Sequence, residues 1–438
     1  MPAASANALD HHWMPFTANR DFQSHPRLFV RAEGMWYWTA AGARVLDGAS
    51  GLFCCAAGHG RREITEAVAA QLATLDYAPS FQFGHPIAFD LAAKLVRLAP
   101  GNLEHAFFVN SGSEAIDTAM KIALAYHRAR GEGQRQRFVS RERAYHGVNL
   151  GGTSLSGILR NREAFGAMVP NIVHMRHTWQ PDTGRFVRGQ PADGAELADD
   201  LARFVALYGA ETIAACFVEP IAGSTGVLVP PVGYLDRLRR ICDAHGILLV
   251  FDEVISGFGR TGQAFAGDSF GVVPDLMTLA KAITNGAQPM GAVVVSDAVH
   301  EVLMAGAPEG GIELFHGYTF SAHPAACAAG LATLDIFERE GLIARAAERA
   351  PGFQARMFDL KDLPVITDIR GYGMLAAFDL APAGQPGARG MVALKRLFEA
   401  GLLIKWTGDT GIVSPPLIAT EEHLDRIAGV LRQVLATL

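Results

Sequence analysis

Six lysines occur in the chain, Lys94, Lys121, Lys281, Lys361, Lys395 and Lys405. Lys94, Lys121 and Lys395 fall in stretches with amphipathic helical spacing and Lys361 in a polar one, so all four have ordinary solvent-facing explanations. Lys281 differs. The segment DLMTLAKAITNG puts it at the end of an apolar, strand-like run and just before a glycine-containing loop, where parallel sheets place their ligands. A desolvated amine there would lose basicity and act as a nucleophile toward a carbonyl, whereas the plainer alternative is a lysine snorkelling from a strand end. In GILLVFDEVISGFG, Asp252 follows the apolar residues Ile247 to Phe251, which sets a carboxylate at the mouth of a buried strand, where it needs a cationic partner. A protonated pyridine nitrogen is such a partner; a carboxylate capping the next turn is the alternative.

The third element is HAFFVNSGSEAIDTAMKIALAYHR, which reads as a strand, a Ser-Gly-Ser turn and a long helix. Ser111, Gly112 and Ser113 would present N–H groups and hydroxyls at a helix N-terminus, a natural phosphate cradle. Ser111 with Glu114 also spells a capping box, which is a sufficient reason for the serine if it is taken alone. A nucleophilic amine, an acid for a ring nitrogen and a phosphate cradle together describe a site for pyridoxal phosphate, whose protonated ring is an electron sink.

Other motifs carry less. GFGRTG at Gly257 to Gly262 matches the dinucleotide fingerprint of NAD(P)-dependent oxidoreductases, but that loop must open a helix. QAFAGDSFGVVPD follows instead, broken by Gly267, Gly271 and Pro274. GDSFG resembles a nucleophile elbow and lacks both the strand before it and the helix after it. There is no HExxH and no phosphate-loop motif, and His59, His85, His146, His316 and His323 all stand beside Gly or Pro in turn-like segments, so no metal is indicated.

The elements that must position these residues follow from the hydrophobic pattern. At 438 residues, one core does not serve the whole chain, and two domains are expected. Residues 1–60 contain aromatic, strand-like pieces such as MWYWTAAGARVLDGAS and form an N-terminal segment contributing to a small domain. Residues 61–330 alternate helical stretches with buried strands (HAFFVN, TIAACFVEP, GILLVFDEV, GAVVVS), the pattern of an α/β large domain with a mostly parallel sheet between helices. Residues 331–438 mix helices (LATLDIFEREGLIARAAERA, MVALKRLFEAG, EEHLDRIAGVLRQVLATL) with short strands (GMLAAFDLA, GLLIKW) and read as the smaller α+β domain.

Half of the residues are hydrophobic and 19% are charged, which excludes disorder as the main state. The net charge of −6 has the wrong sign for a polyanion binder, and the one dense basic run, Arg237, Arg239 and Arg240, reads as a solvated helix face. No nucleic-acid partner is expected. Cys54, Cys55, Cys216, Cys242 and Cys327 show no CxxC spacing and fit a reducing compartment. The N-terminal residues lack the pattern of a secretory signal, and no run of ~18 apolar residues is present to span a membrane. A soluble, cytoplasmic protein is the expectation.

Read in order, N-S-G-S-E-A, Y-H-G (Tyr145 to Gly147), V-E-P (Glu219), F-D-E-V (Asp252), A-K-A (Lys281) and G-Y-T-F-S-A-H-P (Thr319) resemble the class III aminotransferases of pyridoxal-phosphate fold type I. WMPFTANR, RGQP, ELADDL, VEPIAGSTGV and GDTGIVSPPLI look closest to the ω-amino acid:pyruvate, or β-alanine:pyruvate, aminotransferases. The resemblance covers nearly the whole chain. It implies that Lys281 binds the cofactor aldehyde covalently and shuttles a proton, that Asp252 holds the ring nitrogen, and that Val254 packs beneath the ring with Tyr145 stacked above it. It further implies that Gly112 and Ser113 bind the phosphate, with Ser111 and His146 beside them in the cofactor site, and that Glu219 lies near the ring hydroxyl. Thr319 would reach the phosphate of a neighbouring subunit's site, so the resemblance implies a homodimer with shared active sites, or a tetramer of such dimers. Trp13 and Phe53 would line the substrate pocket.

The implied reaction moves an amino group from an amine donor to a keto-acid acceptor such as pyruvate in two half-reactions. An aminomutase or racemase of the same fold is the nearest alternative. Two departures stand out: Lys405 occupies the place of a family arginine that forks onto the keto-acid carboxylate, and Phe53 that of a tryptophan. A lysine offers a point charge without the fork.

Overall fold

The computed structural model describes residues 6–166 and 168–438. Its central sheet has seven strands in the order Leu103–Val109, Gly291–Ser296, Leu276–Leu279, Leu248–Asp252, Ile213–Val218, Arg137–Arg141 and Ile172–Met175. Gly291–Ser296 runs antiparallel to both of its neighbours, and the remaining pairs are parallel. Every residue of Ile213–Val218, Leu248–Asp252 and Leu276–Leu279 is buried. Coverage of both sheet faces is why these strands read as apolar runs, interrupted only by Thr278 and ended by Asp252, and not as alternations.

One face is covered by the helix Gly112–Ala129, whose Ala115, Ile116, Ala119 and Ala123 pack in one cluster with Phe217, Val250 and Val293. Tyr234–His245 covers the other, where Leu235, Leu238 and Cys242 meet Leu249 and Phe251. The α/β architecture expected from the alternating pattern is the one present.

A second sheet is the N-terminal meander Phe29–Glu33, Trp36–Thr39 and Arg44–Asp47, extended in parallel by Leu402–Leu403 from the far end of the chain. The third sheet is antiparallel: Ile366–Tyr372, Leu375–Leu380, Thr410–Val413 and Lys405–Thr407. GLLIKW, read as one strand, is therefore divided at Ile404 between two sheets. LATLDIFEREGLIARAAERA is likewise two helices, Pro324–Arg339 and Leu342–Phe358, because Gly341 turns left-handed at φ 58° and breaks the helical course. No helix among the described residues is long and apolar enough to cross a membrane.

Candidate active site

Three parallel strands end side by side, and a residue at or just beyond the end of each lines the same cavity. Asp252 closes Leu248–Asp252, Glu219 follows Ile213–Val218, and Lys281 comes two residues after Leu276–Leu279. The helix Gly112–Ala129 begins beside them, directly after Leu103–Val109 and a two-residue turn. Together they enclose a cavity of about 340 Å³ lined by Ser111, Gly112, Ser113, Tyr145, His146, Glu219, Asp252, Val254 and Lys281. That is the carboxyl end of an α/β sheet, where ligands of such folds bind.

Lys281 sits at φ 53°, a left-handed conformation rare for a residue with a Cβ, and one that clusters at functional sites. Burial pushes its amine below the ordinary lysine range, and the nearby Cys54, Asp252 and Glu219 counter this in part. The lowered basicity leaves more of the amine unprotonated and nucleophilic. Asp252 accepts a hydrogen bond from His146 Nδ1 on Oδ2 (2.8 Å) and one from the Val254 N–H on Oδ1 (3.1 Å). Each oxygen keeps a lone pair for a further donor. Glu219 accepts from the Tyr145 N–H (2.9 Å) and the Gly223 N–H (3.1 Å), and burial raises its carboxyl to about 7, with His146 opposing and Asp252 adding to the rise.

At the phosphate end, Ser111 Oγ accepts from the Glu114 N–H (3.1 Å) and the Glu114 carboxylate takes the Asn110 N–H (2.7 Å), so the cap is shared with Asn110. Ser113 Oγ accepts from the Val148 N–H (3.0 Å). The first backbone N–H groups of the helix, at Gly112 and Ser113, are left pointing along the positive end of its dipole. A Cβ on Gly112 would lie 3.1 Å from Val254 Cγ1, so glycine lets the helix start approach the residue that floors the cavity without displacing it.

Pyridoxal phosphate fits these groups. An anion cradle lies at one end, an aldehyde-reactive amine at the other, and between them a carboxylate with spare acceptor capacity. Tyr145 and Val254 are side chains suited to the two faces of a ring. A fold of this kind holding a lysine, an aspartate and a helix N-terminus around one chamber defines a pyridoxal-phosphate enzyme.

The family described as Aminotransferase class-III matches residues 17–435. The chain is 52% identical to an omega-aminotransferase of Caulobacter vibrioides, with 99% of each chain covered. It is 49% identical to a beta-alanine–pyruvate aminotransferase of Pseudomonas aeruginosa, covering 99% of this chain and 97% of the relative. Among solved structures, an omega transaminase of Pseudomonas jessenii in complex with PMP is 31% identical with a TM-score of 0.94, covering 100% of this chain and 98% of that one. The chain belongs to the class III aminotransferases, and its cofactor is pyridoxal phosphate.

Four residues singled out in the sequence lie elsewhere. Trp13 is 90% exposed on the single chain. Thr319 is exposed, its carbonyl accepting from the Tyr77 hydroxyl (3.0 Å) outside the cavity. Phe53 is buried with Ile221, Val227, Ile255 and Ile412, one layer behind the wall, which its neighbour Cys54 forms. Lys405 is half-buried and outside the cavity lining, its amine 3.4 Å from the Ser224 carbonyl. Burial and the nearby Lys281 lower it to about 8.

GFGRTG forms no dinucleotide cup: the next helix, Ala266–Phe270, has only five residues, and Arg260 of the motif is buried with a guanidinium nitrogen 2.6 Å from the Pro415 carbonyl.

The cavity also has walls that sequence reasoning missed. Asn110 and Gly147 belong to quoted motifs, and their place was readable from them. Thr284, Gly286, Gln288, Pro289 and Met290 form the loop after Lys281, which the Asn-Gly pair at 285–286 signals as a turn. Cys54 carries no such signal.

Proposed function

We propose that the protein is a transaminase that takes the amino group of an ω-amino acid or primary amine and delivers it to pyruvate, and that Lys281, Asp252 and the Ser-Gly-Ser turn carry the reaction. The observation that supports this reading most is the convergence of those three elements on one chamber. The two relatives at about half identity, named for omega-amino and beta-alanine substrates, support the donor class.

Pyridoxal phosphate, when bound, supplies the aldehyde carbon that receives the amine and a ring that draws electrons from it. Lys281, buried in the chamber with lowered basicity, would hold the cofactor and would supply the amine that accepts and returns a proton. Asp252 keeps a proton on the ring nitrogen, and His146 orients Asp252 through the Nδ1 bond. Gly112 and Ser113, with Ser111 as their cap, hold the phosphate. Val254 and Tyr145 would hold the ring, and Glu219 would bind near its hydroxyl. Lys405 would draw in the acceptor's carboxylate, Phe53 would support the substrate end from behind the Cys54 wall, and Trp13, exposed on the single chain, would line it.

We further propose a homodimer in which Thr319 reaches the partner's phosphate. Its support is a run of exposed aromatics, Phe81, Phe83, Phe89, Phe315 and Phe320, together with Thr319 itself. Pairing of Arg44–Asp47 with Leu402–Leu403 supports a small domain built from residues 1–60 and 331–438 around a large domain of 61–330. Five unpaired cysteines support a cytoplasmic location.

The test is a panel of ω-amino acids and primary amines with pyruvate, following donor and alanine together. One alanine formed for each donor consumed is expected. Rearrangement or racemisation of the donor without pyruvate consumption would favour the aminomutase or racemase reading, and binding of NADH by a colourless protein would favour an oxidoreductase.

A further inference from the structure

The wall of the chamber beside Lys281 begins with an unusual backbone. Ser50, Gly51, Leu52 and Phe53 have φ of 49°, 54°, 78° and 68°, four successive left-handed residues of which three carry a Cβ. L-residues visit this region singly and at a cost, and such conformations persist only where the surroundings over-determine them.

Asp47 is the main brace. Its carboxylate is buried and takes the Ala49 N–H on Oδ1 (2.8 Å), and both the Gly51 N–H (2.7 Å) and His59 Nε2–H (2.7 Å) on Oδ2. The Tyr37 ring covers His59 at 4.3 Å between centroids, and Ser50 Oγ donates to the Ser414 carbonyl at 2.7 Å. The turn then delivers Cys54 into the cavity wall, where a Cβ on Gly286 would lie 3.0 Å from Cys54 Cβ. Beyond it, Asn285 clamps the segment to the Lys281 loop, accepting from the Ala57 N–H (2.9 Å) and donating to the Gly58 carbonyl (2.8 Å).

Asp47 is not among the residues that line the cavity, yet the wall that meets Lys281 hangs from it. We propose that Asp47, oriented by His59, is a positioning residue for transamination: it holds residues 50–53 left-handed so that Cys54 closes the substrate side of the chamber. This inference rests on the reading of the chamber as the site of transamination.

The test uses the holoenzyme and four variants. Asp47→Asn turns an N–H toward a backbone N–H, and kcat/KM should fall by about tenfold or more, the scale of one buried charge-assisted hydrogen bond. Cofactor occupancy, read from the visible absorbance of the lysine-bound form, should hold. Leu52 is 54% exposed and contributes little packing. Leu52→Gly alone should leave the rate near wild type, and in the Asp47→Asn background it should restore several-fold of the loss, because glycine takes φ 78° without a brace. Leu52→Val should lower the rate by itself, because a β-branched residue resists that φ. Alkylation of Cys54 by iodoacetamide, read by mass spectrometry, should be several-fold faster in Asp47→Asn and Leu52→Val than in wild type.

The proposal is overturned if folded, cofactor-loaded Asp47→Asn stays within twofold of wild type, or if Leu52→Gly gives it no rescue. Should Asp47→Asn not fold, a Leu52→Val variant with wild-type kinetics and alkylation overturns it equally. A wild-type protein that transaminates nothing defeats the functional reading alone, and the turn is then judged on the Cys54 alkylation rates.

Discussion

Raising the pH from 7 to 9 should weaken the enzyme's grip on pyruvate, and replacing Lys405 by arginine should remove that dependence. Burial and the neighbouring Lys281 bring Lys405 to about 8. About nine-tenths of the side chain is then charged at pH 7 and about one-tenth at pH 9. If only the ammonium draws in the acceptor's carboxylate, KM for pyruvate rises roughly tenfold over that interval, close to 1.4 kcal/mol. An arginine remains charged throughout. The assay is initial-rate alanine formation against pyruvate at a saturating donor, for wild type and Lys405→Arg at pH 7, 8 and 9. Titration of the donor and of Lys281 affects both proteins, so the ratio of their KM values isolates position 405. That ratio, wild type over variant, should climb about tenfold from pH 7 to 9. A ratio that stays flat would refute the reasoning and remove Lys405 from acceptor binding.

Other perturbations reach different parts of the site. Gly112→Val should weaken cofactor binding by about one to two orders of magnitude in an absorbance titration, because overpacking against Val254 typically costs about 1–3 kcal/mol. His146→Ala should reduce kcat by about ten- to a hundredfold with a smaller change in KM, because the bond it removes at 2.8 Å is one to a charged group, worth about 1.5–3 kcal/mol. Glu219 has its carboxyl raised to about 7, so its protonated form stabilises the fold most below the ordinary glutamate value, and that contribution is lost as pH rises through 7. In melting curves of the apoprotein, Glu219→Gln should therefore gain stability relative to wild type between pH 5 and 8, by about 2.5 kcal/mol. Equal differences at both pH values would contradict the buried, protonated state.

Much of the site was legible because its chemistry sits at strand ends. Asp252 ends an unbroken apolar run, Lys281 a run broken only by Thr278, and Ser111 to Ser113 interrupt a strand-to-helix transition, so residue type and position pointed the same way, whereas Glu219 came from the family resemblance. The central sheet was readable for the same reason, since burial on both faces leaves runs that periodicity cannot mistake for loops. What was not legible depends on contacts between distant segments. Nothing local announces that His146 meets an aspartate 106 residues away. The left-handed course of Ser50, Leu52 and Phe53 runs against the preference of each residue and is imposed by Asp47, His59 and Ser414. The split of GLLIKW at Ile404 follows from competition between two sheets for neighbouring residues. Phe53 illustrates the limit within one side chain: the sequence brought it to the site, and packing with Ile221 and Ile412 turned it behind the wall.

Lys281, one lysine of six, is proposed to hold the cofactor. Reduction of the purified holoenzyme with borohydride, followed by peptide mass spectrometry, reads it directly. A pyridoxyl group is expected on the peptide containing Lys281 and on no other. A label on Lys405 or another lysine, or none on Lys281 in a protein that still transaminates, would contradict it.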